Sequence, residues 1–186
     1  MLIDSYGRKI DYLRISVTDR CNLRCLYCMP ECGIIHKPQE EILSFEEIIK
    51  VAQAGVKSGI DKIRLTGGEP LVRKNLASLV YSLNKIKGLK DISMTTNGIL
   101  LKDYAVELKK AGLKRINISL DSLKEERYKL ITRQGNLGDV LDGIKEAFKA
   151  GFSPLKINVL LLNNIDEDEI RRRQNGFVVK GNAIRP

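Results

Sequence analysis

The sequence lacks several features that mark common protein classes. Its 186 residues include no tryptophan and a single histidine, His36. No apolar run approaches the roughly 20 residues that a membrane-spanning helix needs, and the first residues lack the basic start and apolar core of a signal peptide. Apolar residues make up 43% of the chain, too large a share for a disordered protein. We therefore expect a globular, soluble, cytoplasmic protein without a membrane partner.

Acidic residues are scarce relative to basic ones. The chain has 23 Asp and Glu against 32 Lys and Arg, a formal net charge of +9. Such an excess favours an anionic partner: nucleic acid, an anionic surface or a phosphorylated small molecule. Nucleic-acid-binding modules usually combine a basic stripe with aromatic stacking residues. This chain has no tryptophan and its only basic run is Arg171–Arg173, so we expect no nucleic-acid partner.

Cysteine is absent after Cys32, and all four cysteines lie between positions 21 and 32. A compact cluster in an intracellular protein is typical of metal binding or redox chemistry rather than of a disulfide framework. Cys21, Cys25 and Cys28 have the spacing C-x3-C-x2-C. Three thiolates so placed can hold three corners of a four-iron cluster and leave one iron open to a small molecule. The alternatives are a zinc site, which usually needs a second pair of cysteines, and free cysteines without a function.

Short apolar strands alternate with amphipathic helices. The predicted strands are Leu13–Thr18, Lys62–Thr66, Asp91–Thr95, Arg115–Leu120 and Lys156–Leu161. The predicted helices are Ser44–Lys57, Val72–Ile86, Leu101–Lys110 and Leu137–Ala150, with a short extra one after Ser122. Capping boxes of Ser44 with Glu47 and of Ser122 with Glu125 are expected to open two of these helices. Repeated βα units imply an α/β fold with a parallel sheet, open or closed toward a barrel.

Polar and apolar side chains alternate along every predicted strand. Since successive side chains of a strand point to opposite faces, one face of the sheet is apolar and the other polar. The polar face carries Arg14, Arg64, Arg115 and Lys156. We predict that the strands place no acidic residue on this face. If helices cover the apolar face, these cations line a cavity for a ligand with several negative charges. The alternative is a sheet with one solvated face, which is rare for parallel strands.

The sequence contains a second motif besides the cysteines. Thr66-Gly-Gly-Glu-Pro70 follows the second predicted strand, one βα unit after the cysteine loop. Together the two motifs resemble the radical S-adenosylmethionine (SAM) superfamily. The resemblance implies a partial parallel βα barrel with about five βα units, and a [4Fe-4S] cluster on Cys21, Cys25 and Cys28. That cluster binds SAM at its open iron and, with an electron from a donor, cleaves it to methionine and a 5′-deoxyadenosyl radical. Cys32 then has no ligand role.

Longer runs are similar to a narrower family, the GTP 3′,8-cyclases of molybdenum-cofactor biosynthesis. They are Leu13–Glu31, Ile42–Glu47, Ile63–Leu71, Thr95–Gly98, Asn117–Ser122 and Lys156–Val159. This resemblance implies a lyase that rearranges GTP to a cyclic pterin precursor after a ribose hydrogen is abstracted. It implies SAM contacts at Tyr27, Gly68 and Ser119, and no catalytic side chain. It implies GTP contacts at Arg14, Arg64, Thr95 and Lys156, all on the polar strand face.

The resemblance ends near the C-terminal end of the sequence. The family implies a second [4Fe-4S] cluster on three further cysteines, and this chain has none after Cys32. We therefore predict a partial-barrel domain over residues 1–170 and a divergent, irregular tail over residues 171–186. The fifth strand then forms a sheet edge, where a second copy or a completing chain can pair. We expect GTP cyclisation to be impaired and SAM cleavage to persist.

Two other functions stay open at this point. The chain could be a radical SAM enzyme with a different anionic substrate, or a non-catalytic metal-binding or assembly protein completed by a partner. Simpler roles are expected for other polar residues. His36 is predicted in a loop, Asn97 and Gly98 in a turn, and Asp121 either orients a ligand or caps a helix.

Overall fold

The structure, a computed structural model, describes residues 2–160 and the backbone of residues 178–179 and 184–185. An antiparallel pair, β1 (Leu2–Ile3) and β2 (Lys9–Ile10), precedes the main sheet. That sheet consists of β3 (Tyr12–Ser16), β4 (Lys62–Thr66), β5 (Asp91–Thr96), β6 (Arg115–Ser119) and β7 (Lys156–Asn158). The five strands are parallel and lie in the order of the sequence. The α/β prediction with a parallel sheet is confirmed.

Helices connect the strands of the sheet. They are α1 (Phe45–Lys57), α2 (Leu76–Asn84), α3 (Leu101–Ala111), α4 (Glu125–Thr132) and α5 (Leu137–Lys149). Two 3₁₀ turns, Gln39–Glu41 and Pro70–Val72, precede α1 and α2. The predicted helix Val72–Ile86 is shorter than expected because Asn75 adopts a left-handed conformation (φ 60°), which separates the 3₁₀ turn from α2.

The first predicted capping box is confirmed and the second is wrong. The hydroxyl of Ser44 accepts from the Glu47 backbone N–H at 3.2 Å, and the Glu47 carboxylate accepts from the Ser44 N–H at 2.7 Å. Helix α4 instead begins after Lys124, two residues beyond Ser122. The Ser122 hydroxyl accepts from the Lys124 backbone N–H at 3.0 Å, a local turn that delays the helix.

The hydrophobic core lies between the apolar face of the sheet and the helices. The strand residues in it are Ile63, Leu65, Ile92, Met94, Ile116 and Ile118, each no more than 2% exposed. Helices α2, α3 and α5 supply the other side, with Leu79, Leu83, Leu101, Leu108, Val140 and Ile144 in the same cluster. The predicted alternation is therefore confirmed: helices cover one sheet face and leave the polar face to the inside of an incomplete barrel.

Within the described part of the chain, β7 pairs only with β6 and forms one end of the sheet, as predicted for an edge. The predicted end of this strand at Leu161 and the domain boundary at residue 170 lie outside the described residues. In the predicted tail, Val178–Val179 and Ile184–Arg185 form an antiparallel pair, β8 and β9; the rest of the tail also lies outside the description. No helix among the described residues is long and apolar enough to cross a membrane.

Candidate active site

The cysteine loop leaves the carboxyl end of β3 and lies against α4. Cys21 and Cys25 are partly buried, whereas Cys28 and Cys32 are exposed. The Cys28 backbone N–H donates to the Cys25 carbonyl at 2.9 Å, which closes a tight turn between the two. The turn brings the second and third predicted ligands to the same end of the loop.

Burial, together with the neighbouring Cys21, Asp121 and Cys28, raises the pKa of the Cys25 thiol to about 11. The pKa of Cys21 is also raised, first by burial. Without a bound cation, both thiols are therefore protonated at neutral pH. A bound metal centre would displace these protons. Three sulfur donors on one short loop are the ligand set that an iron–sulfur cluster takes.

No three His, Cys, Asp or Glu side chains in residues 2–160 lie close enough together to hold a single metal ion. A four-iron cluster differs from a single ion because each thiolate binds a different iron. Its ligands therefore stand around a group several ångströms across rather than converging on one point. Three cysteine sulfurs are donors of the type that such a cluster binds, and their role as its ligands stays a prediction.

The Gly67–Gly68 pair lets the β4 loop pack directly on the segment that leads to Cys21. The Gly68 N–H donates to the Thr18 carbonyl, and the Glu69 N–H donates to the Arg20 carbonyl, both at 2.8 Å. A Cβ on Gly67 would lie 2.6 Å from the Thr18 oxygen, and one on Gly68 would overlap the Arg20 carbonyl. Only glycine permits this contact, so the motif sets the distance between the two loops.

Glu69 lies at the centre of a buried network that the sequence analysis did not identify. Its carboxylate, 1% exposed, accepts from the Thr96 hydroxyl and the Asn97 N–H at 2.7 Å, and from the Leu71 N–H at 3.0 Å. Burial raises the pKa of Glu69, and these hydrogen bonds oppose the rise. The network joins the ends of β4 and β5.

Asn97 extends this network to the cysteine loop. Its side-chain nitrogen donates to the Asn22 side-chain oxygen at 2.7 Å. Its own oxygen accepts from the Ile99 N–H at 3.1 Å, so the predicted turn is confirmed. Since Asn22 directly follows Cys21 in the sequence, the loops after β3, β4 and β5 are tied together at one edge of the sheet.

Asp121 connects the cysteine loop with β7. The Tyr27 hydroxyl donates to its carboxylate at 2.6 Å, and the Leu160 N–H donates to its other oxygen at 2.9 Å. Burial raises the pKa of Tyr27, and the Asp121 carboxylate adds to the effect. The predicted role of Asp121 as a helix cap is wrong, because the N-cap of α4 is Lys124, three residues later; its role in orienting a ligand stays a prediction.

The cations of the polar face follow from the register of the strands. Arg14 pairs with Arg64, Arg64 with Ser93, and Ser93 with Arg115 in successive strands. One row of the sheet therefore carries three guanidinium groups. In the next row Thr95, Asn117 and Lys156 are neighbours.

The prediction that this face carries no acidic residue is wrong. Asp91, the first residue of β5, shares its face with Ser93 because two residues separate them, and its carboxylate forms an ion pair with Arg115. The same count of alternating positions would have revealed it in the sequence. Arg115 therefore has a counter-charge within the protein and does not need one from the ligand.

Arg64 is held in place without a carboxylate. It donates to the Ser93 hydroxyl at 3.3 Å and lies over the ring of Tyr12, 5.4 Å from its centre. With the Asn117 amide oriented so that its oxygen faces the guanidinium, both terminal nitrogens of Arg64 donate to it at 3.1 Å. Among the described residues, no ion pair neutralises Arg14, Arg64 or Lys156.

The predicted site residues thus lie on neighbouring parts of the sheet, namely its polar face and the loops at its carboxyl edge. The cysteines, Tyr27, Gly68 and Ser119 lie in the loops or strand ends at its carboxyl edge. The cations and Thr95 lie on the strand face below them. Cys32 is exposed and makes only a weak contact, from its sulfur to the Gly33 carbonyl at 3.7 Å. His36 is in a loop as predicted, with Nδ1 3.4 Å from the Asp19 carboxylate.

Comparison with known proteins connects this surface to characterised families. Residues 15–173 match the family model of the Radical SAM superfamily. The chain is 57% identical over 170 residues to the GTP 3′,8-cyclase of Peptoclostridium acidaminophilum. The aligned region covers 91% of this chain and 52% of that protein. The chain is 51% identical over 184 residues to the GTP 3′,8-cyclase of Petrotoga mobilis, covering 99% of this chain and 57% of that protein. The chain spans about half the length of the curated relatives it matches.

Solved structures share the fold at low sequence identity. Methylornithine synthase (PylB) matches with a TM-score of 0.71 and 16% identity, over 92% of this chain and 51% of that one. The enzyme anSMEcpe with bound AdoMet matches with a TM-score of 0.72 and 19% identity, over 89% of this chain and 46% of that one. These likenesses confirm the predicted partial βα barrel.

Proposed function

The chain belongs to the radical SAM superfamily, and we propose that it carries out the SAM-cleaving part of a GTP 3′,8-cyclase reaction in molybdenum-cofactor biosynthesis. One observation carries the proposal: three thiols and a glycine cradle lie at the edge of a strand face that holds three cations without a counter-charge in residues 2–160. A cytoplasmic setting is part of the proposal, since SAM and GTP are intracellular metabolites.

Cys21, Cys25 and Cys28 are the proposed ligands of a [4Fe-4S] cluster. The AdoMet-bound relative of the same fold supports SAM as its partner. When bound by these three cysteines, the cluster would supply the electron for reductive cleavage of SAM. The raised pKa of Cys25 adds a condition, because a metal centre must displace the proton of this thiol as it binds.

Tyr27, Gly68 and Ser119 are the proposed SAM contacts. Gly68 is fixed by its hydrogen bond to Thr18, and Tyr27 by its hydrogen bond to Asp121. Ser119 is the last residue of β6 and pairs with Asn158. All three therefore stand on fixed backbone or a fixed side chain before SAM arrives, which lowers the entropy lost on binding.

Arg14, Arg64, Thr95 and Lys156 are the proposed GTP contacts. A triphosphate carries several negative charges, and guanidinium and ammonium groups form strong charge-assisted hydrogen bonds to it. The 57% identity to a GTP 3′,8-cyclase supports GTP over other anions. Arg115 is not in this set, because Asp91 pairs with it, and Arg14, Arg64 and Lys156 have no ion-pair partner among the described residues.

The proposal separates cleavage of SAM from completion of the GTP reaction. The curated relatives are about twice as long as the matched region, and the sequence contains no cysteine after Cys32 for a second cluster. We therefore propose that these 186 residues cleave SAM but are impaired in GTP cyclisation. In the described part of the chain β7 pairs on one side only, which supports pairing with further chain, either a second copy or a completing polypeptide. An external electron donor is required.

The test is anaerobic reconstitution with iron and sulfide, followed by dithionite, SAM and chromatography for 5′-deoxyadenosine. We expect the product from the wild type and from Cys32→Ser, and none from Cys25→Ser. Cys32→Ser is the matched control because it removes an exposed thiol four residues from the last proposed ligand.

An iron-loaded wild type that yields no 5′-deoxyadenosine would contradict the proposal. Zinc in anaerobically purified protein would favour the metal-binding or assembly alternative. Adding GTP or ATP to the reduced protein then separates substrates: a change in the electron-paramagnetic signal with ATP alone would favour a different anionic substrate.

A further inference from the structure

Arg133 has an unusual backbone conformation directly after α4. Its φ is +61°, in the left-handed region that non-glycine residues rarely adopt. Its N–H donates to the Lys129 carbonyl at 2.7 Å and ends the helix. Such a conformation persists where surrounding contacts fix it. Among residues 2–160, both hydrogen bonds of this side chain are with the cysteine loop.

One terminal nitrogen of Arg133 donates two hydrogen bonds. Their acceptors are the Arg24 carbonyl at 2.7 Å and the Met29 carbonyl at 3.0 Å. These carbonyls lie on either side of the segment that contains Cys25 and Cys28. A single guanidinium therefore fixes the distance between the two ends of that segment.

Helix α4 reinforces this contact with its own backbone. The Arg24 N–H donates to the Thr132 carbonyl at 3.1 Å, and the Leu26 N–H donates to the Ile131 carbonyl at 2.9 Å. The last carbonyls of a helix have no partner within the helix and need another donor. Here the cysteine loop supplies those donors, while Arg133 supplies donors to the loop's carbonyls.

We infer that Arg133 is a positioning residue, which holds the Cys25–Cys28 segment against α4 so that its thiols stand in place before a cluster binds. The inference rests on the proposed function only for the identity of the group that the thiols bind. Arginine suits the role because its charge is permanent and its donors have a fixed geometry. Loss of these bonds would free the loop while leaving the sheet intact.

The first experiment uses the metal-free protein and measures alkylation of each cysteine by iodoacetamide with peptide mass spectrometry. In Arg133→Gly we expect Cys25 to react about tenfold faster, because losing a charged hydrogen bond shifts a local opening equilibrium by roughly that factor. Exposed Cys32 is the internal reference and should keep its rate. Glycine adopts a φ of +61° without strain, which offsets part of the lost hydrogen bonding, so the thermal unfolding midpoint should fall only slightly.

Two further variants keep the result interpretable. Arg133→Gln retains a side chain at this position, so a faster rate there excludes the flexibility of glycine as the cause. Lys129→Gln removes the same charge from an exposed position of α4 and should leave the Cys25 rate unchanged. Equal Cys25 rates in the wild type and both Arg133 variants would overturn the inference.

The second experiment measures the reduction potential and electron-paramagnetic spectrum of reconstituted protein. We expect a shifted potential or a broadened spectrum in both Arg133 variants and wild-type values in Lys129→Gln. Identical values in all four proteins would overturn the inference. A wild type that takes up no cluster would instead contradict the proposed function, and the alkylation rates would still decide the role of Arg133.

Discussion

The hydroxyl of Tyr27 lies 2.6 Å from a carboxylate oxygen of Asp121, a residue 94 positions away in the sequence. This bond connects the cysteine loop after β3 with the end of β6. Asp121 is only 6% exposed, and its second oxygen accepts from the Leu160 N–H. The cysteine loop and the segments that follow β6 and β7 therefore meet at one buried carboxylate.

A double-mutant cycle tests whether this bond couples the two elements. We expect Tyr27→Phe to lower the free energy of unfolding by about 1–3 kcal/mol, because a buried carboxylate then loses a donor. The double variant Tyr27→Phe/Asp121→Asn should change the free energy of urea unfolding by an amount that differs from the sum of the two single effects by at least about 0.5 kcal/mol. Tyr81→Phe is the matched control: its ring is 52% exposed, and its effect should stay within about 0.5 kcal/mol. Strictly additive effects would contradict the coupling.

Gly68→Ala should displace the β4 loop from the cysteine loop. The new Cβ would overlap the Arg20 carbonyl, and relief of such a clash requires backbone movement that costs about 1–3 kcal/mol. We expect lower stability and a cluster content below half of the wild-type value after reconstitution, measured as iron per chain.

Gly55→Ala is the control for that substitution. Its Cβ would meet only side-chain carbon atoms, at 3.5 Å or more, within helix α1. Alanine is favoured over glycine inside a helix by about 1 kcal/mol, so this variant should be as stable as the wild type or more so. Equal behaviour of the two variants would show that the clash at Gly68 is relieved without cost.

The pH dependence of stability should report on Glu69. Its pKa in the folded protein is raised by burial, so the folded state holds this proton more tightly than the unfolded state. Its contribution to stability is therefore complete below the ordinary glutamate pKa and is lost as pH rises through the folded-state value. We expect the difference in unfolding free energy between wild type and Glu69→Gln to fall as pH rises. Urea unfolding at several pH values measures it, and a difference that grows with pH would reverse the sign.

Removal of a free cation from the polar face should weaken binding of GTP. Lys156→Met deletes a charge without an ion-pair partner among the described residues, and we expect about a tenfold loss of affinity, since a charged hydrogen bond contributes roughly 1.5–3 kcal/mol. Lys114→Met removes the same charge from an exposed position just before β6 and should change affinity by less than about twofold. Titration calorimetry at two salt concentrations measures both. Equal losses in the two variants would indicate a general effect of net charge instead of a site.

Local patterns in the sequence were enough to predict most of the fold. Apolar and polar residues alternate at 62–66 and 91–96, and this period of two belongs to the backbone of a strand whatever it pairs with. The Ser44–Glu47 capping box likewise joins residues only three positions apart. By contrast, Ser122 shows that two competing local turns cannot be ranked from the sequence alone.

The sequence also determined the candidate site in outline. Cysteine spacing is a property of one short loop, and strand alternation placed Arg14, Arg64 and Lys156 on one face. The position of Asp91 on this face could also have been predicted, because it stands two positions before Ser93. Its ion pair with Arg115, however, depends on which strands are neighbours.

Only the tertiary structure decided how the site is supported. Asp121 reaches Tyr27 across 94 residues, Arg133 reaches Arg24 and Met29 across 109 and 104 residues, and Asn97 reaches Asn22 across 75 residues. No local period encodes such pairs, because their geometry arises only when the parallel strands align and bring successive loops to one edge. The sequence by itself therefore predicted which residues meet the ligands, and the order of the strands decided which residues hold them in place.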